Sequence, residues 1–121
     1  MPPYPTIEAE VTFLTTEEGG RKRMPVWLGY MPHLVVQPPH IRIATYVNGV
    51  GAEDYLGVVF LAGPEPFVSG QPFSVKLGLA YYPEVNYSEL QEGATFTIRE
   101  GGRIVGFGKV LGGLPFPASS G

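Results

Sequence analysis

The sequence predicts an all-β fold, a small sandwich or barrel, and three observations lead there. Glycine and proline are abundant, with 17 and 13 in 121 residues. Both disfavour helix interiors and mark turns. The stretches between them are rich in Val, Ile, Thr, Tyr and Phe, which suit pleated strands. Several of those stretches alternate apolar and polar residues with a period of two. A length of 121 residues suits one domain with a real core.

Taken in order, residues 1–5 hold three prolines and read as a flexible N-terminal arm. The first strand runs from Thr6 to Thr15, with Ile7, Ala9, Val11 and Phe13 inward and Leu14 the one apolar residue on the polar side. Glu17 to Arg23 is a sharp reversal around Gly19-Gly20. Met24 to Leu28 is a short apolar stretch, Gly29 to Pro32 a turn, and His33 to Gln37 a short strand that Pro38 and Pro39 end. His40 to Val47 alternates and reads as another strand, closed by the Asn48-Gly49 turn signal. Gly49 to Asp54 is too polar and glycine-rich for a strand. Tyr55 to Ala62 is a continuous apolar run, a central strand that Gly63 to Pro66 ends. After a turn at Ser69 to Pro72, Phe73 to Tyr81 places Phe73, Val75, Leu77 and Leu79 inward. Pro83 to Gln91 shows no period and reads as a loop, with an aromatic group of Tyr81, Tyr82 and Tyr87 that suits a contact patch or the cap of a barrel end. Thr95 to Val110 is a hairpin about the turn Glu100-Gly101-Gly102-Arg103. It has Phe96, Ile98, Ile104 and Val110 in the core and Thr95, Thr97 and Arg99 facing the other way. The barrel domain is thus residues 6–111, followed by a flexible tail over 112–121. No repeat, linker or convincing helix is evident.

The same residues limit function. There is no cysteine, hence no disulfide or thiolate site. A net charge of −3 does not mark a general nucleic-acid binder. No leader pattern or bilayer-length apolar run occurs, so a cytoplasmic protein without membrane association is expected. Ser69 and Ser88 lack a nucleophile elbow and a local histidine. Glu8 and Glu10 read as solubilising residues on a strand face. His33 and His40 lack the partners a metal site needs. The expectation is a non-enzyme with no cofactor and no metal.

Two segments carry a resemblance. Phe96 to Val110, FTIREGGRIVGFGKV, is similar to the closing hairpin of the C-terminal (third) domain of elongation factor Tu. At the other end stand Glu8-Ala9-Glu10-Val11, Glu17-Glu18-Gly19-Gly20-Arg21 and Gly29-Tyr30-Met31-Pro32, where that family reads EAEV, EEGGR and GYRP in the same order. The resemblance covers about Ile7 to Val110 and implies a Greek-key barrel of about six or seven strands. The stretch from about Pro38 to Asp54 is an addition that would supply the extra strand. No phosphate loop of the form G-x-x-x-x-G-K-[ST] occurs, so GTP binding is not expected.

In the family this domain touches the T-stem of transfer RNA and meets protein partners. That implies a binding module whose expected partner is a protein, with transfer RNA as the alternative and DNA as neither. The residues the resemblance points to for RNA or partner contact are Arg21, Lys22, Arg23, His33, Gly101 and Arg103. Other positions depart from the family. Met31 replaces an arginine, His33 a glutamine and Leu56 a small hydroxyl residue, and Tyr82 stands where a basic residue is common. Phosphate contacts supply most of the affinity for RNA, so these losses favour a protein partner. Arg99 and Arg103 themselves read as exposed residues stabilising a tight hairpin.

Overall fold

A computed structural model describes residues 5–21, 27–43, 46–47, 50–51, 54–63 and 66–113. Six strands close into an antiparallel barrel in the order β1 (Thr6–Phe13), β6 (Phe73–Leu79), β5 (Leu56–Ala62), β2 (His33–Val36), β7 (Thr95–Glu100) and β8 (Arg103–Gly113), with β8 returning to β1. Closure removes the unpaired sheet edges that invite aggregation. The remaining two strands, β3 (Tyr46–Val47) and β4 (Val50–Gly51), pair only with each other. The stretch expected to add a barrel strand holds a separate ribbon instead, and among the described residues the barrel has six strands.

The period of two in β1 is realised as read: Ile7, Ala9, Val11 and Phe13 are all buried. The core is finished differently at the barrel's two ends. At the end where β1 stops and β6 starts, Phe13, Tyr30, Phe60, Phe67 and Phe73 form a continuous aromatic cluster, with neighbouring ring centroids 5.1–6.0 Å apart. Rings at such spacing add edge and stacking attraction to their burial. At the other end the Pro83–Gln91 loop turns inward. It lacks regular structure, as expected, yet Tyr87 and Leu90 are buried in the core. The Tyr87 hydroxyl donates to the Gly57 carbonyl (2.6 Å) and accepts from the Tyr81 amide (3.0 Å). The aromatic loop is thus a cap, although Tyr81 itself stays exposed.

β1 and β8 approach closely at Gly108, where a Cβ would lie 2.4 Å from the Glu10 carbonyl oxygen and 2.7 Å from the Phe96 ring. Glycine is what lets these two backbones meet over that ring.

Several elements differ from expectation. β1 ends at Phe13, and Leu14 is buried with its amide bonded to the Val105 carbonyl. A short 3-10 turn, Thr16–Glu18, follows. Its capping box has Thr15 Oγ1 accepting from the Glu18 amide and Glu18 Oε1 accepting from the Thr15 amide. His40 to Ile43 is not strand but turn and irregular chain, with Ile43 81% exposed. Pro38 and Pro39 end β2, and among the described residues no strand pairs with 40–43. Conversely, Val50–Gly51 does pair, so part of the stretch judged too polar is strand. The Asn48-Gly49 turn lies outside the described residues, as does Met24 to Val26. β8 continues through Gly112 and Gly113, past the expected start of the tail, because Gly113 still pairs with Ile7. Residues 1–4 and 114–121, the rest of the expected arm and tail, also lie outside the described residues.

Candidate functional site

The largest correction concerns the outer face of β2 and β7. Thr97 and Arg99 do point away from the barrel core, but both are fully buried. Arg99 is therefore not an exposed hairpin residue. A buried guanidinium is tolerable only when its donors are met. Arg99 Nε donates to Thr97 Oγ1 (3.0 Å), Nη1 to the Tyr55 hydroxyl (2.9 Å) and Nη2 to Gln37 Oε1 (2.8 Å). The Thr97 hydroxyl donates to the same Gln37 oxygen. Tyr55 lies over the guanidinium, 5.4 Å from ring centroid to Cζ, and the half-buried His33 meets the Tyr55 ring edge-on at 5.9 Å.

The chain after β2 lies along a neighbouring part of the outer wall. Pro39 lies beside Thr95, Phe107 and Lys109, whereas Ile43 lies beside Gly102 and Arg103. Residues 39–43 therefore run along the outside of β8 in the opposite direction to the strand. Between them, Arg42 sits over the Phe107 ring at 5.1 Å.

At the end of the barrel that holds the aromatic cluster, three loops are tied together. Arg103 donates from Nη2 to the Gly20 carbonyl (2.7 Å) and from Nε to the Gly19 carbonyl (3.3 Å). Arg21 returns the link, its Nε 2.6 Å from Glu100 Oε2. Tyr30, in the turn before β2, donates its hydroxyl to the same carboxylate oxygen at 2.5 Å, and Arg21 lies over the Tyr30 ring at 5.1 Å. Burial, then the Glu100 carboxylate, pushes the Tyr30 phenol far above its ordinary pKa. Glu18 moves the other way: hydrogen bonds from Thr15 hold its carboxyl below the usual range.

The expected site residues thus divide. Arg21, Gly101 and Arg103 come together at this end, while His33 joins the Tyr55 and Arg99 group on the barrel's outer wall. Lys22 and Arg23 lie outside the described residues. Gly101 has φ 61°, as a two-residue hairpin turn demands, and a Cβ there would meet nothing within 4 Å. Among the altered positions, Met31 is exposed and Tyr82 is half-buried against the core. Leu56 is buried in the core, so its change from a hydroxyl residue does not reach the surface.

Sequence reading missed Gln37, Arg42 and Tyr55. Gln37 and Tyr55 matter only because Arg99 is buried between them, and no local pattern announces that. Arg42 sat in a stretch read as a regular strand; its charge beside the paired prolines was the available signal.

The turn between β7 and β8, bound to the glycine loop that follows β1, is where the two matching segments of the sequence meet in space. The model of the elongation factor Tu C-terminal domain family matches residues 1–112. The chain belongs to this family. It is accordingly a module of a translation-factor type whose family domain is non-catalytic. Among the described residues of this elongation factor Tu domain relative, no three His, Asp or Glu residues group as a metal site would require. No helix among them is long and apolar enough to cross a membrane.

Proposed function

We propose that this chain is a non-catalytic binding module that engages a protein partner, one belonging to the cytoplasmic translation apparatus. The observation that carries this reading is the exposure of three large apolar residues in one short loop. Trp27 is 57%, Leu28 42% and Met31 52% exposed. A cluster of exposed large side chains that includes tryptophan and methionine has the composition of a protein contact. The arginines bear on the alternative. Arg21 and Arg103, two of the groups expected to meet transfer RNA phosphates, hold loops together. Arg21 is paired with the Glu100 carboxylate and so offers less to a phosphate backbone, whose binding rests on free positive charge.

The test compares wild-type chain with Trp27→Ser/Met31→Ser as bait in cell extract, and measures transfer RNA binding by electrophoretic shift at two salt concentrations. The expected result is a set of proteins captured by wild type and lost from the variant, with no salt-sensitive RNA shift. Identical captures would remove the protein reading. A shift that weakens with salt and in Arg21→Ala would establish the RNA alternative.

A further inference from the structure

On the outer side of the β7–β8 turn, the added segment and the glycine loop enclose a groove of about 330 Å³. Its apolar lining comes from Leu14 and Ile104, both buried, and from Ile43, which is 81% exposed. Its charged groups are Arg42, Arg103 and Glu18. Both guanidiniums are oriented by main-chain carbonyls. Arg103 is held by Gly19 and Gly20, and Arg42 Nη1 donates to Pro39 (2.6 Å) and Ile41 (2.9 Å). Each has further N–H groups beyond those used, since a guanidinium carries five. Glu18, the carboxylate among the described lining residues, accepts from the Thr15 amide.

We infer that this groove docks an acidic segment of a protein partner, a carboxylate side chain lying between Arg42 and Arg103 with an adjacent aliphatic side chain against Leu14, Ile43 and Ile104. The inference rests on the protein-partner reading and names the chemistry of that partner. Charge complementarity chooses the carboxylate: two preset guanidiniums favour a planar, bidentate acceptor. The apolar walls choose a peptide over a nucleic-acid backbone, which offers no aliphatic side chain to bury. Arg42 lies outside the two segments that carry the resemblance, so the groove is not built from the matching hairpin alone.

The experiment is titration of the isotope-labelled full chain, followed by amide spectra, with three synthetic octapeptides alternating Leu with Glu, Gln or Lys, and with a 12-nucleotide oligouridylate. The Glu peptide is expected to shift the Gly101, Gly102 and Ile104 amides. The Gln peptide should bind roughly tenfold more weakly, as for loss of one charge-assisted hydrogen bond. The Lys peptide should leave the spectrum unchanged. Arg42→Glu should weaken the Glu peptide at least to the same degree. Ile43→Glu, at a position too exposed to disturb folding, should also weaken it by placing a carboxylate at the mouth. Equal binding of the Glu and Gln peptides, unchanged affinity in both variants, or no binding by wild type would overturn the inference. So would displacement of the peptide by the oligouridylate, which would make the groove a phosphate site. Trp27→Ser/Met31→Ser should leave peptide binding intact, so a failure of the groove and a failure of the Trp27 surface give different patterns.

Discussion

At the residue scale, Arg99 and Tyr30 show how a polar side chain becomes structural. Among the described residues Arg99 donates to three side chains, those of Gln37, Tyr55 and Thr97, and it is fully buried. Arg99→Ala should therefore cost about 3 kcal/mol in urea unfolding, since Tyr55, Thr97 and Gln37 lose their common partner in a buried place. Arg99→Met, which restores much of the volume, should cost roughly half as much. Tyr30 offers a pH signature. Its folded pKa lies above the unfolded value, so the protonated phenol is the form that the fold favours. The stability it contributes is fully present below about pH 10 and is lost as pH rises beyond that. Burial shifts the Tyr87 phenol in the same direction, so its contribution has the same sign. Stability measured from pH 8 to 11 should fall in wild type and fall less steeply in Tyr30→Phe. At neutral pH Tyr30→Phe should be about 1–2 kcal/mol less stable, for loss of the bond to Glu100.

At the element scale, the loop from Tyr81 to Gln91 depends on one hydroxyl. Tyr87→Phe keeps the ring but leaves the Gly57 carbonyl and the Tyr81 amide without their partner. A cost of about 2 kcal/mol is expected, with faster hydrogen exchange at Ala80, Tyr81 and Val85, while amides of β7 and β8 keep their protection. The strands of the barrel were largely readable, because alternation in β1 and β6 reports burial on one side directly. The same alternation misled at Thr97 and Arg99. Period two says which residues share a face; it does not say what lies on that face. The polar face of β7 is polar and also covered, with Gln37 and Tyr55, 62 and 44 residues from Arg99 in sequence, bonded to its guanidinium. His40 to Ile43 failed for a related reason: the stretch has the pattern of a strand and no neighbour to pair with. Two matching motifs were enough to bring Arg21, Gly101 and Arg103 to one end, but their mutual ties arise only from the tertiary arrangement.

For the whole molecule, the barrel closes between its first and last strands. Ile7 lies opposite Gly113, and β1 pairs with β8 as far as Phe13 opposite Gly106. Residues at the two extremes of the domain are therefore neighbours in the same wall. The seam has a topological consequence. A short linker from Gly113 to Thr6 would turn the chain into a ring without altering any strand pairing. The ring can equally be cut at Glu89, an exposed residue of the capping loop. Such a circular permutant would have new termini but the same barrel, so the point at which this fold begins is interchangeable with others around its circumference.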